Sequence, residues 1–202
     1  MVYQNPSSNN NQSYIDPRKY EILEKKKIVM PSPKPNHARI IRNIIRIFDA
    51  FLRGKQCEVF SEMDIFMTED DTVQPDVSVI CDPEMLDNIK KKKKAIGVPH
   101  LIVEVLSPGT ANRDRGYKMK LYAACGVKEY WLISPEELSI SVYLSKDGVY
   151  ELDNIYQIYP EYELEDMTEE EKAEIIMEFK TKIFDGLVIS VEDVFEKVDS
   201  RG

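Results

Sequence analysis

The sequence predicts one α/β domain in which strands and helices alternate along a chain of 202 residues. Residues 101–106 form an almost entirely apolar strand, and residues 36–53 place their apolar side chains on one face of a helix. A chain of this length buries a core without disulfides or structural metal ions. We therefore expect a disordered or loosely attached tail at residues 1–13, followed by a single domain at residues 14–200.

Composition and charge restrict the classes of function. The chain is 43% hydrophobic and 31% charged, and no apolar run approaches the roughly 20 residues that span a bilayer, which predicts a soluble protein. The net charge of −9 arises from 27 basic and 36 acidic residues. Such a charge argues against a protein whose whole surface coats nucleic acid, but it is compatible with a local basic channel.

The first residues and the cysteines both bear on the cellular location of the protein. Met1 to Ser13 has neither the basic nor the apolar region of a secretory signal. The three cysteines, Cys57, Cys81 and Cys125, are widely spaced and odd in number, so they indicate neither a zinc site nor a disulfide framework. We expect reduced thiols and a cytoplasmic protein.

The first elements are a hairpin, a helix and two strands. A lysine-rich turn between two short apolar runs predicts the hairpin at 20–30. Asn36 can cap the helix at 36–53, which Gly54 ends. Alternating apolar and polar residues then predict a half-buried strand at 57–66, and a second strand at 73–81 follows a turn.

Two carboxylates interrupt otherwise apolar strands. Asp76 enters the strand at 73–81 directly after a proline, where a missing amide donor does little harm. Glu104 lies within the strand at 99–108, on the same face as Ile102 and Leu106. An ionised carboxylate in such a water-poor place needs a cation or several donors, and a metal ion is one answer.

Five consecutive lysines, Lys90 to Lys94, lie in the connection between these two strands. Like charges repel, so the run cannot be interior, and it predicts a solvated loop or a frayed helix end. A contact with a nucleic-acid backbone is the alternative interpretation.

The remaining elements follow from helical spacing and turn residues. In the helix at 110–125, Asp114, Lys118 and Tyr122 recur at four-residue steps and so share one stripe. Strands are predicted at 128–133, 138–144 and 149–158, a short strand at 185–190 and a closing helix at 191–198. A capping box that begins at Thr168 predicts an acidic helix at 168–179, within an acidic helical insertion at about 161–180.

Asp76, Glu104 and Lys118 would converge at one sheet edge if their strands are neighbours. Hydrolysis of a phosphodiester with a divalent ion is the chemistry that uses two carboxylates and an ammonium. Oxygen donors without a His/Cys cluster favour Mg²⁺ over Zn²⁺.

The motifs that carry these residues resemble the Uma-type family of predicted restriction endonucleases, within the PD-(D/E)XK nuclease superfamily. They are Pro75-Asp76, residues 99–108 with Glu104, residues 113–122 with Lys118, and residues 126–131. The resemblance covers roughly residues 16–159 and resumes near 184–195. It implies a restriction-endonuclease-like core, with a central mixed β-sheet flanked by helices, and metal-dependent cleavage of DNA.

The resemblance also implies the ligands of the metal ion, which would be Mg²⁺ with Mn²⁺ as a substitute. They are Asp76, Glu104 and the main-chain carbonyl of Val105. The superfamily places a lysine two residues after the glutamate, where this chain has Leu106. We expect Lys118 to supply the missing ammonium, because Lys120 points about 200° away around the helix.

Glu21, His37, Asp114 and Lys120 are accessory candidates for the same site. For Asp76, Glu104 and Lys118, structural roles remain as alternatives to catalytic ones. Asp76 can simply hydrogen-bond at a strand start, Glu104 can form a buried ion pair with Arg113 or Lys118, and Lys118 can form an exposed ion pair with Asp114.

Three functions compete. The first is the DNA endonuclease, which would act as a homodimer if it cuts both strands. The second is a catalytically weak or inactive nuclease-fold module that binds or regulates. The third, which no sugar-specific feature supports, is a carboxylate-pair hydrolase acting on another substrate.

Overall fold

The computed structural model describes residues 19–199, so the predicted tail at 1–13 lies outside the described residues. Its strands are β1 (Tyr20–Leu23), β2 (Lys26–Val29), β3 (Glu58–Ser61), β4 (Ile65–Phe66), β5 (Thr72–Val73), β6 (Val77–Ile80), β7 (Ala95–Ile96), β8 (Leu101–Val105), β9 (Glu129–Ser134), β10 (Ser139–Lys146), β11 (Val149–Gln157), β12 (Glu178–Lys180) and β13 (Val188–Ser190). Its helices are α1 (Pro35–Leu52), α2 (Pro83–Lys92), α3 (Ala111–Arg113), a π-helical segment (Asp114–Lys118), α4 (Met119–Cys125), α5 (Glu161–Asp166), α6 (Glu169–Ala173) and α7 (Val191–Val194). None of the helices within residues 19–199 combines the length and apolar character needed to cross a membrane.

A mixed six-stranded sheet is the centre of the domain, as the resemblance implied. Its strand order is β11-β10-β9-β8-β6-β3, with β8 and β9 parallel and every other neighbouring pair antiparallel. A second sheet, with the order β2-β1-β5-β4-β7, and the short pair β12-β13 complete the strands. The mixed α/β class is therefore confirmed.

Both faces of the central sheet are apolar, and β8 divides its side chains between them. Leu101, Val103 and Val105 belong to a core cluster that includes the buried face of α1. Ile102 and Leu106 belong to a second cluster, which includes residues of α2, α4 and the five-stranded sheet. The alternation that placed Glu104 with Ile102 and Leu106 is thus observed, and a carboxylate enters a largely apolar layer.

The helix α1 begins one residue earlier than the capping prediction. Lys34 occupies the N-cap position and Pro35 the first helical position, where a fixed φ and a missing N–H are tolerated. The prediction that Asn36 caps the helix is wrong, because its side chain instead donates to the main-chain oxygen of Asp199 at 2.7 Å. Gly54 follows the helix with φ of +76°, as expected.

Two predicted strands are each divided between sheets. The segment 57–66 contains β3 and β4, and Glu62 between them has φ of +50°, which no strand accommodates. The segment 73–81 likewise contains the end of β5 and all of β6. The period-2 pattern persists through each break, so it predicted one long strand where the chain bends from one sheet into the other.

The expectation of three reduced cysteines is wrong for one pair. Cys57 and Cys81 form a disulfide, while Cys125 is free. Cys57 precedes β3 and Cys81 follows β6, and the register of these antiparallel strands pairs Glu58 with Ile80. The two cysteines therefore face each other with their Cα atoms 4.1 Å apart. The predicted cytoplasmic location loses the support of reduced thiols.

The lysine run ends a helix and is not a loop. Asp82 caps α2 by accepting the N–H of Met85 at 2.7 Å, and Lys93 closes it with φ of +56°. Lys90 forms an ion pair with Glu58 at 2.7 Å. The prediction that the lysine run is a helix end is therefore closer to the structure than the prediction of a solvated loop.

The acidic insertion is less helical than predicted. Thr168 and Glu171 do form the capping box, but α6 ends at Ala173. Glu170 and Glu174 are like charges four residues apart, which disfavours a longer helix. Phe179 is buried and stacks on Tyr156, so the end of the predicted helix is the strand β12 instead.

Candidate active site

Asp76 and Glu104 meet because their strands are neighbours. Asp76 directly precedes β6 and Glu104 lies within β8, with Val77 opposite Val103. Asp76 Oδ2 accepts the main-chain N–H of Val105 at 2.7 Å. Asp76 therefore forms a hydrogen bond at the start of a strand, which was the alternative to metal binding. The residue that donates this hydrogen bond belongs to the strand that carries Glu104. The two carboxylates are 6% and 3% exposed.

Lys118 joins them from the helix after β8. Its Nζ lies 2.6 Å from Glu104 Oε1, 2.9 Å from Glu21 Oε1 and 3.5 Å from Asp114 Oδ1. Lys118 is 1% exposed, so the prediction of an exposed ion pair with Asp114 is wrong. The buried pairing of Glu104 with Lys118 is observed, whereas within residues 19–199 Arg113 forms no ion pair with Glu104.

A local change in helix geometry carries Lys118. Residues Asp114–Lys118 form a π-helical turn between α3 and α4, a feature that recurs at functional sites. Tyr122, in α4, donates its hydroxyl proton to Glu104 Oε1 at 2.8 Å. Asp114, Lys118 and Tyr122 thus lie on one stripe, as their spacing indicated, and Lys118 and Tyr122 contact Glu104 from it.

Glu21 anchors Lys118 from the other sheet. It lies in β1, which pairs with β5 through Ile22 and Thr72. Glu21 Oε1 accepts from Lys118 Nζ and from the main-chain N–H of Gln74, both at 2.9 Å. Glu21 is 1% exposed and therefore supports Lys118 from behind, and its other partner, Gln74, lies two residues before Asp76 in the sequence.

His37 contacts the site from the first turns of α1. Its Nε2 lies 3.1 Å from Asp76 Oδ2. Burial lowers the pKa of His37, but the hydrogen bond to Asp76 and the charge of Asp76 outweigh this effect and raise the pKa above its ordinary value. Lys120, by contrast, is exposed on α4 and is not brought to the site.

Burial and the mutual charges of the site shift the pKa values of its ionisable groups. Burial raises the pKa of Glu104 well above its usual range, although Lys118 opposes the rise. Burial likewise raises the pKa of Asp114. For Lys118, burial acts to lower the pKa, but the carboxylates of Glu104, Glu21 and Asp114 raise it well above its ordinary value. Lys118 is therefore a fixed cation at neutral pH.

These groups form the floor of a cavity of about 660 Å³. Its walls are the loop between β2 and α1, the loop after β8, and the turn after β9. Besides Asp76, Glu104, Asp114 and Lys118, it is lined by Lys19, Met30, Pro31, Ser32, Pro33, Lys34, Pro35, Asn36, His37, Arg39, Glu62, Leu106, Ser107, Pro108, Gly109, Thr110, Pro135, Glu136 and Asp199.

Sequence reasoning missed two parts of this site. The sequence placed Tyr122 on the stripe of Asp114 and Lys118 but did not predict its hydrogen bond to Glu104, although the four-residue spacing from Lys118 was a signal for it. Nothing in the sequence of residues 31–35 shows that they line the cavity.

The model of one protein family matches residues 12–173 of the chain. Its name is Uma2 and its description is "Putative restriction endonuclease". The chain belongs to the Uma2 family. The resemblance carried by the Asp76, Glu104 and Lys118 motifs is thereby confirmed.

Two relatives of this Uma2 chain are uncharacterized proteins of Synechocystis sp. The protein slr1290 is 35% identical over 133 residues, which are 64% of this chain and 67% of the relative. The protein sll1609 is 32% identical over 119 residues, which are 57% of this chain and 66% of the relative. The matched regions thus span about two thirds of each relative.

A solved structure shares the Uma2 chain's fold. It is a crystal structure from Anabaena variabilis, described as a "putative nuclease belonging to DUF820". It superposes with a TM-score of 0.65 and 19% identity, and covers 87% of this chain and 89% of the other. At this identity the likeness concerns the fold.

The Uma2 residues at the floor of the cavity fit a magnesium ion better than a zinc ion. Among residues 19–199, no three or more His, Cys, Asp or Glu side chains are grouped as a metal centre. Mg²⁺, however, is typically held by one or two carboxylates and keeps several waters. Asp76 Oδ1 and Glu104 Oε2 accept no hydrogen bond from residues 19–199, and both residues line the cavity.

Proposed function

We propose that this protein is a Mg²⁺-dependent endonuclease that hydrolyses phosphodiester bonds in DNA. The observation that carries the proposal is the convergence of Asp76, Glu104 and Lys118 at the floor of one cavity. Membership of a family described as "Putative restriction endonuclease" supports nuclease chemistry, as does the fold shared with a protein described as a nuclease.

The balance of buried charge supports a divalent cation. Glu21, Asp76, Glu104 and Asp114 are four carboxylates with at most 6% exposure. Only Lys118 and His37 pair with them among the described residues. With all four carboxylates ionised and His37 protonated, the site carries an excess of two negative charges; this is costly in a buried site, where burial already raises the pKa of Glu104 and of Asp114. One Mg²⁺ would offset it.

Asp76, Glu104 and the main-chain carbonyl of Val105 would hold the ion. When bound, Mg²⁺ would supply Lewis acidity toward the scissile phosphate and acidify a water. Tyr122 orients Glu104 by donating to Oε1, which leaves Oε2 for the ion. The N–H of Val105 in turn orients Asp76 through Oδ2.

Lys118 would stabilise the negative charge that develops on the phosphate. A permanently protonated ammonium has three donors and no acceptor, so Lys118 cannot take a proton from the attacking water. Glu21 and Glu104 hold two of its donors at 2.9 and 2.6 Å. The third faces Asp114 at 3.5 Å, and this weakest contact is the one that a phosphate oxygen would replace.

The test combines cleavage with metal binding. Purified protein is incubated with supercoiled plasmid and with single-stranded DNA, in Mg²⁺, Mn²⁺ or EDTA. We expect metal-dependent cleavage that falls at least 100-fold in Glu104→Gln, because the variant loses a charged ligand. Independently of activity, Mg²⁺ should raise the melting temperature of the wild type and not that of Glu104→Gln.

Glu136→Gln is the matched control. Glu136 also lines the cavity but lies outside the proposed ligand set, so this variant should retain metal-dependent stabilisation. Cleavage that persists in Glu104→Gln would refute the assigned site. Metal-dependent stabilisation without cleavage of any DNA would favour the binding or regulatory module instead.

A further inference from the structure

Two loops restrict access to the proposed active site. The first, residues 30–34, connects β2 to α1, and the second, residues 106–110, follows β8. A Cβ atom at Gly109 would lie 3.6 Å from Cγ of Pro31, which is ordinary van der Waals contact. Gly109 and Pro31 therefore lie close to each other, and both loops line the cavity that holds Asp76 and Glu104.

The size of the cavity suits a short segment of one DNA strand. Its volume of about 660 Å³ lies within the range of about 300–1,000 Å³ that is typical of small-molecule sites. Glu104 at its floor is only 3% exposed, so a scissile phosphate must enter the cavity to approach it. Duplex DNA has a persistence length of about 50 nm, so bending it sharply into such a space requires a deformation energy that a flexible single strand avoids.

The chemistry of the walls also suits an unpaired nucleotide. Pro31, Pro33 and Pro108 are exposed and present apolar surface on which a base can pack. Lys34 lies among them, is exposed, and forms no ion pair within residues 19–199. In single-strand binding sites a cationic groove follows the backbone and bases stack on aromatic side chains; here the exposed prolines would take the place of the aromatic side chains and Lys34 that of the cationic groove.

We propose that the substrate of this site is a single-stranded or locally unpaired DNA segment, and that an intact duplex is excluded. The inference rests on the function proposed above, because it assumes that the scissile phosphate reaches Asp76, Glu104 and Lys118. Enzymes that act on groups inaccessible within a duplex meet the same restriction by taking single strands or extruded nucleotides.

One oligonucleotide sequence in three forms tests the inference. The full-length protein is given a labelled single strand, the perfect duplex, and a duplex with a central unpaired bubble, each in Mn²⁺. We expect the single strand and the bubble to be cut at least tenfold faster than the perfect duplex, with cuts confined to unpaired nucleotides. Equal or faster cleavage of the duplex would overturn the inference and leave the nuclease function standing. No cleavage of any form would overturn both.

A variant tests whether the DNA single strand passes between the two loops. Gly109→Leu adds a side chain to the cavity wall, at a position without positive φ, and should lower cleavage of the single strand at least tenfold. Glu69→Leu adds the same side chain to an exposed turn outside the cavity and serves as the control. Melting temperatures of both variants are measured to exclude unfolding. Gly109→Leu with wild-type cleavage and an unchanged melting temperature would refute the route through the cavity.

Discussion

At the scale of single residues, the most informative group is a buried lysine. Lys118 is 1% exposed, and a lone ammonium in such a place would lose its proton or unfold the chain. Three carboxylates prevent this outcome and raise its pKa. The residue two positions after Glu104 is Leu106, which belongs to an apolar cluster. The ammonium that lies beside Glu104 comes instead from Lys118, on a different element.

Replacing Lys118 should affect both activity and stability. We expect Lys118→Met to lower the cleavage rate at least 100-fold, because one electrostatic contact to a developing charge is worth roughly that factor. It should also lower the free energy of unfolding by about 3–5 kcal/mol, since buried carboxylates lose their partner. Cleavage assays and urea denaturation measure the two effects.

Lys120→Met is the matched control for this prediction. Lys120 is exposed on the same helix, and its loss should leave the cleavage rate and the unfolding free energy nearly unchanged. If the Lys120 variant is inactive while Lys118→Met cleaves normally, the assignment of the ammonium is wrong.

At the scale of elements, strand register explains how distant residues meet. Antiparallel pairing of β6 with β8 places Asp76 beside Val105, and pairing of β1 with β5 brings Glu21 to Lys118. The same kind of register joins Cys57 to Cys81 across β3 and β6. The site and the disulfide thus lie at opposite ends of the strand β6.

Reduction of the disulfide should destabilise this part of the sheet. The two cysteines are 24 residues apart, and closing a loop of that length in the unfolded chain stabilises a protein by about 3 kcal/mol. We expect Cys57→Ser, or addition of a reductant, to lower the free energy of unfolding by about that amount. Cys125→Ser, which removes the free thiol, should have little effect. Identical urea midpoints for the oxidised and reduced protein would contradict this prediction.

At the scale of the whole molecule, charge is unevenly distributed. The net charge is −9, yet exposed lysines occur both at the cavity and along α2. Lys90 contacts Glu58, whose partner Ile80 is at the end of β6 away from Asp76. None of Lys90 to Lys94 lines the cavity. The position of the run therefore favours its interpretation as a solvated helix end over that of a contact with the substrate.

Salt dependence of DNA binding distinguishes the two groups of lysines. Binding of a labelled single strand to Glu104→Gln is measured by anisotropy over a range of salt concentrations. Adding Lys34→Gln should weaken binding and reduce the slope of log K against log salt by about 0.7, the value for one phosphate contact on a single strand. Neutralising Lys90, Lys91 and Lys92 together should change neither quantity. A reduced slope only in the second variant would place the substrate on α2.

The boundaries of the elements show where sequence patterns were sufficient. The helix α1, the strand β8 and the helix that carries Lys118 were predicted within a few residues, because periodic apolar positions and terminal glycines are local signals. The bend at Glu62 and the strand β12 were not predicted. Each depends on packing with residues far away in sequence, and their local patterns were those of a longer strand and a longer helix.

The sequence by itself predicted the three central residues of the proposed site. Asp76, Glu104 and Lys118 were identified because charged groups in apolar or patterned surroundings are costly, and because their motifs resemble a known family. Only the tertiary structure decided that Glu21, His37 and Tyr122 hold them, that two proline-containing loops line the cavity, and that Cys57 faces Cys81. These contacts join residues from different sheets and helices, and strand register and packing create them, so no local pattern in the sequence contains them.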